Sequence, residues 1–329
     1  MGDSPVRTLC LFALLLIGGV QTAHAAQAET PQPRCIAPAR PGGGYDLTCR
    51  IAKLGLDEAR ALPARLQIDY RPGGIGAVMF DAVVEQTPDD ANTIVAFSSG
   101  ALLNLASGRF SKYGPDNVKW LVAIGVDHGM IAVDARSPYL TLKDLVTAMK
   151  ADPRKVLFGI GGSAGSQDWM KATLLARQAG LDRNAMRYVA FEGGGEAMTA
   201  LMTGHVQAVP GDIGEAVDLI EAHKIRVLAV LADQRLPGRF ASIPTAKEQG
   251  LDVQWPIVRG FYMGPKVAEQ DRRRWGNALQ RAAGTRAYVQ ALETHGIVPT
   301  PMAGPELDTY VQNKVREYRR LAREFDLIK

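Results

Sequence analysis

Residues 159 to 169, GIGGSAGSQDW, fit three chemistries at once. Gly161, Ser163 and Gly165 spell G-x-S-x-G, the elbow that exposes the nucleophilic hydroxyl of a serine hydrolase between strand and helix. Gly159, Gly161 and Ala164 fit G-x-G-x-x-A, a loose form of the dinucleotide-binding turn. A glycine-rich loop ahead of a helix also holds a small anion on its backbone amides alone. The partners that each chemistry needs decide among them.

A hydrolase built on Ser163 needs an acid and then a histidine further along the chain. Of the five histidines, His24 lies in an N-terminal apolar segment, and His128 and His205 stand before or too close to an acid. His223 follows Asp212 by only eleven residues, tight for partners on separate strands. His295 ends a helical stretch, where a histidine is commonly held by the helix dipole. For the dinucleotide turn, Glu192 ends the next strand about where a ribose-binding acid would stand. Export, argued below, separates the chain from a nicotinamide pool. No Walker motif and no metal-ligand spacing occurs, so neither cofactor nor metal is expected. The anion cradle needs only the loop and its helix.

The elements that must position this loop alternate between short apolar strands and amphipathic helices, the pattern of α/β layers. Strands are expected at 35–39, 65–70 and 92–99, with helices at 46–59 and 77–86. VKWLVAIGVD and GMIAVDA then follow each other without a helix between them, a break in rhythm that reads as a crossing into a second lobe. Beyond it the alternation restarts with VLFGI, MRYVAF, VQAVPGD and IRVLAVLA, expected as a second, parallel sheet. VRGFYMGP (258–265) leads back to C-terminal helices rich in Arg and Glu. The expected division is one lobe from 26–127 plus 256–329 and a second from 128–255. Glycine loops recur after strands: PGGGYD (41–46), RPGGIGA (71–77), SSGA (98–101), GGSAGS (161–166), EGGGEA (192–197) and PGDIGEA (210–216). In parallel α/β sheets such junctions lie at the carboxyl ends of strands, where ligands bind. Shared between two lobes, they describe a cleft with amides directed in from both sides.

The chain has 329 residues, 47% hydrophobic and 22% charged, with a formal charge of +4 and its charges interspersed. That composition is ordinary for a globular protein. It lacks the basic stripe of a nucleic-acid binder and the polybasic cluster of a membrane-surface protein. Arg7, the apolar run LCLFALLLIGGV and the Ala23-His24-Ala25 ending read as a signal peptide over 1–25, cleaved after Ala25. The run is shorter than the roughly 20 residues that span a bilayer. Cys10 lies too early for a lipid-anchored start. An exported, periplasmic chain keeps Cys35 and Cys49, an even pair in an oxidising compartment. They are candidates for a disulfide across the first glycine loop, the alternative being two buried thiols.

CIAPARPGGGYDLTCR, YRPGGIGA, FGIGGSAGS, FEGGGEAMTALMTG, VLAVLADQRLPG, IPTAKEQGLDV and RGFYMGPK, in this order, resemble the solute-binding proteins of tripartite tricarboxylate transporters, within the wider Bug-type periplasmic receptors. The resemblance runs over nearly the whole mature chain, and the cysteine-flanked first block resembles the citrate or tricarboxylate branch. It implies a two-lobe type II periplasmic binding fold that closes by a hinge around one small carboxylate, for delivery to membrane subunits. It carries ligand contact onto Gly43, Gly44, Tyr45 and Asp46, onto Ser98, Ser99 and Gly100, onto Gly162, Ser163, Ala164, Gly165 and Ser166, and onto Asp212. Tyr45 departs from the usual smaller residue, and the second loop has fewer polar side chains than is usual. Both departures bear on ligand size and identity.

Read on their own chemistry, these residues keep alternatives. Ser163 and its neighbouring amides are donors to a carboxylate. Asp46 either caps the helix after it or touches ligand. Tyr45 either covers the ligand or packs against a neighbour. Asp212 beside an anion needs a water or a ligand hydroxyl between them. Arg259 either meets a third carboxylate bidentately or forms a surface ion pair. Trp169 is expected in the core. The expectation is a monomeric, non-enzymatic receptor for citrate or a related tricarboxylate. Its rivals are a receptor for a di- or aromatic carboxylate and a secreted hydrolase using Ser163.

Overall fold

The structure, a computed structural model, describes residues 32–108, 112–182 and 185–329, and Gly2 alone of the first 31; the signal segment expected over 1–25 lies outside the described residues. The first strands are short and apolar: β1 (Arg34–Ala37), β2 (Gln67–Tyr70) and β3 (Thr93–Ser98). β3 is buried at every position, as a central strand covered on both faces must be. β1 pairs in parallel with β2 and β3, and the crossovers are the helices α1 (Gly44–Glu58) and α2 (Ala77–Glu85). α3 (Ser99–Ser107) follows β3 directly, capped by the Ser98 hydroxyl, which accepts from the Gly100 amide at 3.2 Å.

The two strands expected at the lobe crossing are one: β4 runs unbroken from Lys119 to Asp134. Its first part pairs antiparallel with β8 (Pro256–Met263), the last partner being His128 with Pro256. From Gly129 onward it pairs antiparallel with β7 (Ile225–Leu231). Gly125 does not break the strand; it clears space, since a Cβ there would stand 2.6 Å from the Val298 carbonyl. Val298 begins β9 (Val298–Ala303), an additional strand that pairs with β4. Its prolines, Pro299 and Pro301, hide it in the sequence, and an edge position tolerates them. The sheet order is β2-β1-β3-β8-β4-β7.

The parallel second sheet is not what forms. Only β5 (Leu157–Gly161) and β6 (Arg187–Phe191) pair in parallel, as a separate two-stranded sheet. VQAVPGD makes isolated bridges, among them Val209 with Ala132 and Asp212 with Gly129, because Pro210 has no amide to extend a ladder. The second-lobe helices are α4 (Leu142–Ala151), α5 (Gln167–Gln178), α6 (Gly194–Met202) and the short α7 (Val217–Glu221), the last preceded by a 3-10 turn over Ile213–Glu215. α8 (Glu269–Ala283), α9 (Arg286–Thr294) and α10 (Gly304–Glu324) complete the chain. Cys35, Cys49, Trp275 and Tyr288 share one core of the first lobe. Trp169 packs edge-on to Phe325 in another, in the core as expected. Among the described residues no helix is long and apolar enough to cross a membrane.

Candidate ligand cleft

The first glycine loop builds one wall. Gly43 is extended, its carbonyl accepts from the Leu47 amide at 3.0 Å, and α1 therefore begins at Gly44, two residues earlier than expected. Asp46 is thus inside the first turn and is not the cap. Its carboxylate reaches back to the Gly42 amide at 2.8 Å and accepts from the Tyr70 hydroxyl at 2.9 Å, fixing the loop from behind. The first amides of α1 have no side-chain cap and face the cleft with the positive end of the helix. Cys35 and Cys49 are bridged, with 5.8 Å between Cα atoms, which ties α1 to β1 on either side of this loop.

The opposite wall comes from two loops. In GGSAGS, Gly162 is in the left-handed region with φ +92°, and a Cβ there would collide with Ile75 of the first lobe, so glycine is required twice over. Ser166 caps α5 by accepting from the Trp169 amide at 3.4 Å. Replacing Ser166 by alanine should cost about 1 kcal/mol of unfolding free energy, read from urea denaturation. In EGGGEA, Gly193 precedes α6 with no side-chain cap, so a second bare helix end faces the first. At the rim Arg40 Nε lies 3.1 Å from Glu196 Oε1, an exposed pair between the two loops.

Between the walls lies a cavity of about 70 Å³ lined by Gly43, Gly44, Tyr45, Ser98, Asp212 and Arg259 among others. Of the residues the sequence suggested, Asp46, Ser99 and Gly100 stand behind it. Ser99 accepts from the Val258 amide at 3.0 Å, joining α3 to β8. Gly162, Ser163 and Ser166 border a separate depression beside Gly74 and Glu192, and Ser163 itself is exposed. Tyr45 does both things asked of it: it lines the cavity, and its hydroxyl donates to the Ile75 carbonyl at 3.2 Å. Burial pushes that hydroxyl up to about 12, so it stays protonated.

The floor is a buried charge cluster that the sequence reading missed. Arg259, 1% exposed, is not at the surface: its Nη2 lies 2.6 Å from Asp127 Oδ2 and 2.9 Å from Asp212 Oδ2. Lys171, fully buried, donates to Asp212 Oδ1 at 2.7 Å and to the Gly211 carbonyl at 2.8 Å, and pairs with Asp168 Oδ1 at 2.8 Å. Asp168 in turn accepts from the Gly161 amide at 2.8 Å. Glu215 Oε1 stands 3.6 Å from Arg259 Nη2. Burial alone would raise Asp212, but Lys171 and Arg259 on its two sides bring it below its ordinary range. Burial, with the Asp212 charge beside it, puts Glu215 well above its own. Two signals for this cluster were present in the sequence: Asp127 inside the apolar VAIGVDHGMIAV, and Asp168 with Lys171 three apart on a helix otherwise bound for the core. The oxygen Oε1 of Gln167 is buried without a partner, while its Nε2 donates to Asp212 at 3.1 Å.

His295 Nδ1 meets the Gly214 carbonyl at 2.7 Å, and His205 Nδ1 meets the Thr203 hydroxyl at 2.8 Å. Known proteins share the architecture. MatC of Rhodopseudomonas palustris, solved with bound malate, superposes with a TM-score of 0.77 at 21% identity, covering 88% of this chain and 98% of its own. The periplasmic binding protein BugD superposes with a TM-score of 0.82 at 17% identity, covering 90% and 98%. Among relatives in sequence, protein BugT of Bordetella pertussis is 24% identical over 328 residues, 97% of each chain. These neighbours are two-lobe α/β binding proteins, and their likeness establishes the fold. The sequence model described as the tripartite tricarboxylate transporter family receptor (TctC) matches residues 49–327, so the chain belongs to that receptor family.

Proposed function

We propose that the protein is a non-enzymatic periplasmic receptor that closes two lobes, 26–127 with 256–329 and 128–255, around a small carboxylate and delivers it to the membrane subunits of a tripartite transporter. One observation carries this reading: two uncapped helix ends, at Gly44 and Gly194, face a single cavity from opposite walls beside a buried guanidinium. Helix amides and guanidinium both favour negative charge. The cavity of about 70 Å³ lies between the two walls, where a ligand such as the malate seen in MatC would be held from both sides. Hinge closure then follows from contacts that the ligand makes with both lobes at once.

Citrate or a related tricarboxylate, the ligand that the sequence suggests, is the first to test. The experiment is a thermal-shift panel on residues 26–329 with citrate, tricarballylate, malate and succinate. Ligand at a thousandfold over its dissociation constant should add about 4 kcal/mol of stability. Citrate shifting the transition while succinate does not would support the tricarboxylate. A shift with malate alone would keep the receptor and replace the ligand. Ester cleavage that Ser163→Ala abolishes, with no shift from any carboxylate, would overturn the reading in favour of a hydrolase.

A further inference from the structure

The cleft contains a carboxyl group of its own in the position suited to a ligand's. Glu215 ends the 3-10 turn over Ile213–Glu215, and its side chain is 10% exposed. A Cβ placed on Gly44 would collide with the Arg259 guanidinium and with the Glu215 Oε1 beside it, and one placed on Gly194 would collide with Glu215 Oε2. Glycine at the first position of both helices therefore admits this carboxyl between the two helix ends, with the Arg259 guanidinium beside it at Gly44. Arg259 Nη2 lies 3.6 Å from it. Resting on the receptor reading above, we propose that Glu215 sets how much negative charge the cleft accepts: its carboxyl takes the place of one ligand carboxylate, and a polyanion binds only when Glu215 carries a proton.

The charges around Glu215 leave little room for another anion. Asp212 precedes it on the same turn, Arg259 faces it from β8, Lys171 and Asp168 from α5, Asp127 from β4 and Tyr45 from α1. Glu192, Glu196 and Arg40 line the approach. Four buried carboxyls thus share two cations, and Arg259 and Lys171 are already committed to Asp127, Asp168 and Asp212. A ligand carboxylate meets helix amides, but it also adds like charge in a site shielded from water. Of the four, Asp212 is pinned between both cations, Asp127 holds Arg259 and Asp168 holds Lys171. Glu215 has the longest ion pair and is the group best placed to become neutral. Its carboxyl is already displaced upward by burial and by Asp212, and an arriving carboxylate displaces it further.

Binding is then linked to uptake of a proton. Above the free-state value of Glu215, affinity for a polyanion falls by up to about tenfold per pH unit. Glu215→Gln keeps the shape and removes the charge. Titration calorimetry with citrate and with malate, in two buffers of different ionisation enthalpy from pH 6 to 8, reads both affinity and protons taken up. For the unaltered protein, citrate is expected to take up a proton at pH values above the free-state value of Glu215, and to weaken as pH rises there. For Glu215→Gln, uptake should vanish, the pH slope should flatten, and citrate affinity at pH 8 should rise about tenfold or more, with malate rising less. Glu215→Ala, checked for an intact thermal transition, should lose proton uptake in the same way. Equal proton uptake in all three proteins, with the citrate-to-malate ratio unchanged, overturns the role of Glu215 while the receptor stands. Binding of neither citrate nor malate to any of them overturns the receptor reading, and this inference with it.

Discussion

Replacing Arg259 by methionine is expected to destabilise the protein by about 3–5 kcal/mol at pH 8, the cost of removing one partner from a buried ion pair. The guanidinium meets Asp127 through Nε at 3.0 Å and Nη2 at 2.6 Å and reaches Asp212 at 2.9 Å, with all three side chains at most 2% exposed. Methionine fills similar volume but leaves Asp127 without its cation and Asp212 with Lys171 alone. The loss should shrink on acidification. Burial already raises Asp127, and it does so despite Arg259. A carboxyl raised in the folded state binds its proton more tightly there than in the unfolded chain. Stability from such a group is therefore full below the unfolded value and declines as pH climbs through the folded value. Without Arg259 the folded value climbs further, so the variant suffers most at pH 8 and recovers part of the loss at pH 5, as more of the carboxyl is protonated. Urea unfolding at both pH values measures this. A difference under about 1 kcal/mol at pH 8 would mean that water enters and solvates the carboxylates.

Loss of the Cys35–Cys49 disulfide is expected to cost about 3 kcal/mol, from the chain entropy of a closed loop of about 15 residues. Both cysteines are fully buried, so Cys35→Ala with Cys49→Ala also exchanges two sulfurs for smaller groups and adds to the loss. Reduction with dithiothreitol keeps the sulfurs and isolates the cross-link. Urea midpoints of the oxidised, reduced and double-variant proteins separate the two contributions. Ligand affinity should fall in the reduced protein, because the bridge holds β1 and α1 on either side of the loop from Gly42 to Gly44. A reduced protein as stable as the oxidised one would show that packing alone sets this corner of the fold.

The sequence shows the α/β alternation and the loops at Gly43–Gly44 and Gly193–Gly195 because both rest on local rules: apolar periodicity, and glycine where strand passes into helix. It also shows a break in rhythm near His128, where β4 changes partner from β8 to β7, though not that β4 passes through it intact. That needs to know that Val298 backs onto Gly125, a contact between positions far apart in the chain. β9 is hidden for the same reason, since Pro299 and Pro301 argue against a strand until the edge position is known. The cluster of Asp127, Asp168, Lys171, Asp212 and Arg259 is the hardest case. Its members come from β4, α5, the segment before the 3-10 turn and β8, and only the folded sheet brings them together. Asp212 and Arg259, expected as ligand groups, line the cavity and also pair with each other. At Ser163 a motif fits locally, and the residue is exposed beside a separate depression.

The unbroken β4 gives the molecule a keel. The changeover of its partners from β8 to β7 at His128 and Gly129 lies beside Asp127, so the ionic cluster is moored where the strand changes partners while Arg40 and Glu196 sit out at the gunwales. Rotation about an axis moves what is near it least. Were the lobes to hinge there, as the proposed function requires, the strongest electrostatic bonds would ride through opening and closing almost undisturbed, and the weak rim pair would part. Cargo and hull are in this way governed by different residues. Descendants of this chain can exchange the rim and the glycine loops for a new cargo without relaying the keel, and a family with many ligands on one frame is the natural result.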